Sequence, residues 1–263
     1  MPLTTTRARA ENCAVVKASP LVDRASLTVA VVGVGGLGCP AAWALSRSGV
    51  SLRLLDEDRV ERSNLHRQML FTEADVGERK VVAARRALAS IAPGVAVDAI
   101  AEHVAPERAL ELLRGVDVVV EGSDNLATKF LVADACAALR VPVVHGACVA
   151  WIGTVLPVAW GAGPCYRCVF EDLPPLDEDG ATCATAGVYG PITSVIGAMM
   201  AADALRLGRG DLSHAGSLAR YDGWSQTFRA SKIRARRDCA LCGADAGAVS
   251  LDPSKYGATC ADM

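Results

Sequence analysis

A doubly wound α/β fold, with a mainly parallel sheet and an antiparallel C-terminal extension, is predicted by three observations. Short β-branched apolar runs alternate with helical stretches through the first 146 residues, as successive βαβ units require. A glycine-rich turn, Gly33-Val34-Gly35-Gly36-Leu37-Gly38, stands between the first strand and the first helix. Beyond Gly146 the alternation gives way to consecutive strand-like runs, framed by two Cys-x-x-Cys pairs.

Taken in order, residues 1–26 carry scattered Arg, Thr, Ser and Pro without periodicity and read as an N-terminal arm. Leu27 to Val32 is a strand and Pro40 to Arg47 a helix; Ser51 to Leu55 is a strand and Lys80 to Ile91 a helix. The alternation continues with Val95 to Ile100, Ala105 to Arg114, Val116 to Glu121, Asn125 to Leu139 and Val141 to His145. Residues 27–146 are therefore expected to form a Rossmann-like part with helices on both faces of a parallel sheet. Val149 to Trp160 with its central Gly153, Ser217 to Tyr221 and Gln226 to Ile233 read as strands, and Val188 to Leu207, closed by Gly208, as a buried helix. Residues 147–243 are expected to extend the same core, and residues 244–263, small and polar, to form a tail that frays.

Composition narrows the function. The 263 residues are half hydrophobic and about one-fifth charged, enough for a sizeable core without disulfides. A formal net charge of −2 leaves no basic excess for a nucleic-acid backbone or an anionic membrane, so no nucleic-acid or membrane partner is expected. Ten cysteines are too sparse for a secreted disulfide scaffold, and MPLTTTRARAENC has no apolar signal core, which together predict a cytoplasmic protein. The apolar stretch from Val143 to Trp160 imitates a membrane span, but His145, two glycines and Pro157 interrupt it and favour buried sheet.

Gly33, Gly35, Gly36 and Gly38 suit the close approach of backbone N–H groups and a helix N-terminus to a phosphate. Asp56 ends the next strand, where it can accept hydrogen bonds from ribose hydroxyls. These features alone favour a nicotinamide or flavin enzyme, the commoner user of such a turn. The polar loop from Asp56 to Gln68 changes that balance: it gathers a carboxylate, an amide and a guanidinium, a set suited to a triphosphate. Within it Arg59, Glu61 and Arg62 read as solvated charge. Lys80, at a helix start after Gly77, can bring a point charge to the same phosphates. Asp124 follows the turn Gly122-Ser123 at the carboxyl end of a parallel strand, a position suited to holding Mg²⁺.

Cys165-Tyr166-Arg167-Cys168 and Cys239-Ala240-Leu241-Cys242 supply four thiolates, the set preferred by structural zinc. A thioredoxin-like redox pair accounts for one knuckle but not for two. Cys183 precedes the long helix and follows an acidic loop; it reads equally as a nucleophile near a helix N-terminus or as an inert buried thiol. Cys39, Cys136 and Cys148 sit in apolar contexts and are expected in the core, whereas Cys13 and Cys260 fall in the chain ends and carry no assigned role.

The glycine turn, Asp56-x-Asp58, Ser63-Asn64-Leu65-x-Arg67-Gln68, Lys80, Ser123-Asp124-Asn125, both cysteine knuckles and Cys183-x-x-Ala186-Gly187 occur in one order between about Leu27 and Gly243. The ensemble resembles the ThiF/MoeB/HesA family, bacterial relatives of ubiquitin-activating enzymes. That resemblance implies ATP- and Mg²⁺-dependent adenylation of the C-terminal Gly-Gly carboxylate of a small ubiquitin-like sulfur carrier, with release of pyrophosphate, by a homodimer. It sets Gly33 to Gly38 and Asp56 around the nucleotide, with Asp58, Gln68 and Asn125 completing that site. It also sets Ser63, Asn64, Arg67 and Lys80 on the phosphates, and Asp124 on the magnesium. Cys183 matches the cysteine that some members use, after adenylation, to form a covalent or persulfide link with the carrier. One departure is marked: the family's N-terminal Arg-Tyr-x-Arg-Gln segment is missing, and only Arg7, Arg9 and Arg24 precede the sheet. No rhodanese segment is recognisable, so the sulfur donor, a desulfurase or a rhodanese, is expected to be separate. A nicotinamide oxidoreductase and a catalytically silent partner of a related enzyme are the alternative readings.

Overall fold

The computed structural model describes residues 27–173 and 187–256. One eight-stranded sheet runs in the order β3-β2-β1-β4-β5-β6-β7-β8. Its parallel part comprises β1 (Thr28–Val32), β2 (Ser51–Leu55), β3 (Val97–Ile100), β4 (Val118–Glu121) and β5 (Val143–Val149). Antiparallel β6 (Ile152–Val158), β7 (Ser217–Asp222) and β8 (Thr227–Lys232) continue the same sheet. The central strands TVAVV and VVVE are almost wholly buried, as expected of parallel strands covered on both faces.

Helices α1 (Gly38–Arg47), α2 (Lys80–Ile91) and α6 (Gly190–Leu207) build one core layer against the sheet. On the other face lie α3 (Pro106–Leu113), α4 (Leu126–Leu139) and the short α5 (Tyr166–Val169). Helix α6, apolar almost all round, packs against α1, β5 and β6. Gly197 permits the approach to α1, because a Cβ there would lie 2.5 Å from the Leu37 carbonyl oxygen. Cys39, Cys136 and Cys148 are core residues, as expected.

Two expectations are corrected. The division drawn at Gly146 falls inside a strand: β5 runs on to Val149 because Ala147, Cys148 and Val149 pair with Thr154, Gly153 and Ile152 of β6. The tail, expected to fray from Ala244, is folded back onto the body at residues 253–256, a 3₁₀ turn that buries Tyr256. Its hydroxyl donates to Asp134 of α4 at 2.9 Å, so one aromatic ring with a waiting acceptor fixes a segment that has no periodicity to announce it. Cys13, Cys183, Cys260, the arm 1–26 and residues 257–263 lie outside the described residues. The Val143 to Trp160 stretch forms the β5–β6 hairpin, and among the described residues no helix is long and apolar enough to cross a membrane.

Candidate active site

Chain order reverses at β1, which has β2 on one side and β4 on the other, and a cavity of about 590 Å³ opens beyond the carboxyl ends of these strands. That is within the usual size range of small-molecule sites. Two turns form its floor. Gly33, with φ +81°, follows β1, and a Cβ on it would meet the Ser123 backbone nitrogen at 3.0 Å. The two loops therefore touch backbone to backbone, an approach that only glycine allows.

Gly35 and Gly36 line the cavity, whereas Gly38 does not. A Cβ at Gly38 would collide with the Gly33 carbonyl, so this glycine serves the packing of α1 on the turn, not a ligand. Asp56 accepts the Val34 N–H at 2.7 Å and the Asp58 N–H at 2.9 Å, tying the glycine turn to the polar loop. Burial pushes the Asp56 carboxyl up, against the pull of the nearby Lys80 ammonium. Lys80, the first residue of α2, donates to Asp58 at 2.6 Å and lies 3.6 Å from Asp56. Burial alone would lower its pKa, but Asp56 and Asp58 outweigh that and raise it, so the ammonium is kept charged deep in the wall.

From the polar loop, Asn64 and Arg67 face the cavity, joined by a 2.6 Å hydrogen bond from the Arg67 guanidinium to Asn64 Oδ1. Among the described residues no carboxylate pairs with Arg67. Ser63 lies outside the lining; its hydroxyl donates to Glu61 on the exposed surface. Arg59, Glu61 and Arg62 are exposed, as expected. Gln68 is 2 % exposed, lines the cavity, and its Oε1 has no hydrogen-bond partner among the described residues. A buried acceptor left open is suited to a ligand N–H or O–H.

Across the floor, Asp124 is exposed and lines the cavity, makes no hydrogen bond to a described residue, and lies near enough to help raise Lys80. Asn125 caps α4 by accepting the Thr128 N–H at 3.2 Å. Beneath this turn lies a group that sequence reasoning missed. Glu121 is completely buried, with Lys129 Nζ at 2.7 Å and His145 Nδ1 at 3.4 Å from its Oε2. Burial would raise the Glu121 carboxyl, but Lys129 and His145 together hold it down at about 2. Burial also lowers His145, leaving a neutral ring whose centroid lies 4.4 Å from that of Tyr166, the two planes tilted by 35°. The only sequence sign of this group is a carboxylate ending a run of valines.

The knuckles meet at the other side of the sheet. All four Sγ atoms lie within 4.8 Å of one another, with Cys165 3.5 Å from Cys239 and Cys168 3.4 Å from Cys242. Tetrahedral zinc with bonds of about 2.3 Å requires S···S separations of about 3.8 Å, so the donor set fits the metal. Burial and the neighbouring thiols push Cys165 up, and Cys242 to about 11, whereas for Cys239 burial is outweighed, backbone N–H groups of the second knuckle helping to lower it. Arg167, inside the first knuckle, pairs with both Asp134 oxygens at 2.8 Å, the carboxylate that also receives Tyr256.

Fold and cavity define a doubly wound α/β protein whose site lies at the switch point of its sheet and is lined by anion-pairing side chains. The ThiF family matches the chain over residues 11–243, and the chain belongs to that family. It is 42% identical over 221 residues to the adenylyltransferase and sulfurtransferase MOCS3 of Drosophila yakuba, a match covering 82% of this chain and 48% of that protein. With the MOCS3 of Drosophila grimshawi the identity is 44% over 219 residues, covering 81% and 48%. The chain thus spans about half the length of the curated relatives it matches. Among solved structures, E. coli MccB with ATP superposes with a TM-score of 0.70 at 22% identity, covering 84% of this chain and 68% of that one. MccB with MccA-N7isoASN gives 0.73 at 22%, with the same coverage. At that identity the likeness speaks for the fold.

Proposed function

We propose that the protein adenylates the C-terminal Gly-Gly carboxylate of a small ubiquitin-like sulfur carrier. The reading rests above all on one observation: Arg67 and Lys80 share a single cavity with Asp124, around the Gly33 to Gly36 turn. Membership of the ThiF family and the adenylyltransferase relatives support it.

In the reaction a carboxylate oxygen of the carrier attacks the α-phosphorus of ATP, the bond from that phosphorus to the bridging oxygen breaks, and pyrophosphate leaves. No proton has to be transferred and no protein nucleophile is required, so the chain's work is positioning and charge neutralisation. Arg67 pairs with phosphate oxygens in a fork, and Lys80 adds a fixed positive charge. Asp56 and the open acceptor of Gln68 orient the nucleoside, with Asp58, Asn64 and Asn125 holding the surrounding loops. Asp124 suits magnesium, being a carboxylate that makes no hydrogen bond to a described residue and lines the cavity; the ion would neutralise charge developing on the leaving pyrophosphate. The four cysteines would hold a zinc that has no open position for catalysis.

Cys183 acts after adenylation: once it has taken a sulfane sulfur from the persulfide of a separate desulfurase or rhodanese, whose thiol is released, its own persulfide attacks the adenylated carboxyl carbon and displaces AMP, leaving the carrier in a reducible acyl-disulfide link. The working form is a cytoplasmic homodimer. Exchange of radiolabelled pyrophosphate into ATP, with and without Gly-Gly-terminated carriers, tests the reading. Carrier-dependent exchange is expected; tight binding of NAD with no response to ATP would overturn it.

A further inference from the structure

Glu121 does not line the cavity, yet it holds the turn that carries Asp124. Its two oxygens are divided between tasks. Oε2 faces the Lys129 ammonium, with Nζ at 2.7 Å, and the His145 ring, with Nδ1 at 3.4 Å. Among the described residues Oε1 accepts only from Ser123, through the backbone N–H at 2.9 Å and the hydroxyl at 2.5 Å. An ion pair serving stability alone would be complete with Oε2.

Everything around that carboxylate is fixed. Glu121 and His145 are register partners on β4 and β5, and Lys129 is held further by the Gly146 carbonyl at 2.6 Å. The Gly122 N–H donates to Val32 at 2.9 Å, and Asn125 is held by its cap at the start of α4. Ser123 and Asp124 span the gap between these anchors, and Glu121 grips the first of them, whose hydroxyl also reaches the Asn125 carbonyl at 3.4 Å. We infer that Glu121 is a positioning residue for the metal-bound triphosphate: through Ser123 it fixes the direction of Asp124, while Lys129 and His145 fix Glu121. The inference rests on the reading of the cavity as a Mg–ATP site.

The test titrates ATP binding by calorimetry against free Mg²⁺, with a parallel arm in EDTA. Ser123→Ala removes one of the two bonds to Oε1 and leaves the buried pair intact, so its melting temperature should match the wild type; because Ser123 lines the cavity, the EDTA arm separates any direct loss of ATP contact from a change in Mg²⁺ dependence. The Mg²⁺ concentration that half-saturates the tightening of ATP should rise roughly 10- to 150-fold, the effect of losing one hydrogen bond to a charged group. Ser123→Thr, which keeps the hydroxyl, should restore it. The double variant Glu121→Gln/Lys129→Met, which leaves no buried charge unpaired, should show the larger shift. Unchanged Mg²⁺ dependence in both Ser123→Ala and the double variant would overturn the inference, as would metal-independent ATP binding by the wild type. Metal-dependent binding by a wild type that catalyses no exchange would defeat the adenylation reading alone, and the same curves would still decide the role of Glu121.

Discussion

Lys80→Met keeps the length and packing of the side chain and removes its charge, which isolates the electrostatic work of this residue. Two losses follow from the geometry. The triphosphate loses a charge-assisted donor worth roughly 1.5–3 kcal/mol, so exchange should slow by about 10- to 150-fold if that bond is expressed in the transition state. Asp56, whose side chain is 8% exposed, loses its buried cation, while Asp58, at 63%, remains hydrated. Only the first should cost stability, about 1–3 kcal/mol once solvent screening at the Asp58 end is allowed for. The pH dependence has a definite sign. Asp56 already sits above its ordinary value through burial, and losing the Lys80 charge moves it higher. A carboxyl raised in the folded state contributes stability below its unfolded pKa, near 3.9, and loses it as pH rises through the folded value. The deficit of the variant relative to wild type should therefore be greatest at neutral pH and shrink towards about pH 4. Pyrophosphate exchange and urea unfolding across that range measure both effects. Exchange within threefold of wild type would refute the role, leaving Lys80 as a structural partner of the two aspartates.

Glu121, held at about 2, behaves in the opposite sense: its contribution to stability is present above its unfolded pKa and lost as pH falls towards 2. On the order of 3 kcal/mol should disappear over that window, and urea midpoints for Glu121→Gln/Lys129→Met should lack this part of the acid slope. Tyr256→Phe should cost about 1 kcal/mol through the bond to Asp134 and Tyr256→Ala about 3 kcal/mol or more, read from urea midpoints. Elemental analysis should find one zinc per chain, and chelation should lower the melting temperature; metal-free protein whose knuckles cycle as disulfides would contradict this. Cys183→Ser should keep pyrophosphate exchange and lose any reducible carrier adduct in intact-mass spectra.

What the sequence disclosed follows from how local each signal is. The glycine turn, the polar loop after Asp56 and the cysteine knuckles are contiguous, and each side chain's chemistry is visible from its immediate neighbours. The Val-rich strands were legible for the same reason, since burial on both faces leaves a continuous apolar run. Glu121, Lys129 and His145 come from β4, α4 and β5, and only the pairing of Glu121 with His145 across adjacent strands brings them together. Ser63 and Gly38 show the converse: a motif position says that a residue is needed there, not that it touches a ligand. Tyr256 escaped because its partner, Asp134, is 122 residues away.

The meeting of the knuckles has a consequence for how the molecule is held shut. Cys165 and Cys239 are 74 residues apart in the chain, and between them α6 lies against the opposite face of the sheet before β7 and β8 complete its edge. A cation on the four sulfurs would act as the buckle of a belt drawn round that edge. Closing a ring of this length removes roughly 4 kcal/mol of freedom from the unfolded chain by the cross-link relation. A backbone cut once within the belt would leave two pieces that stay joined while the buckle is fastened and are free to part when the metal is drawn off.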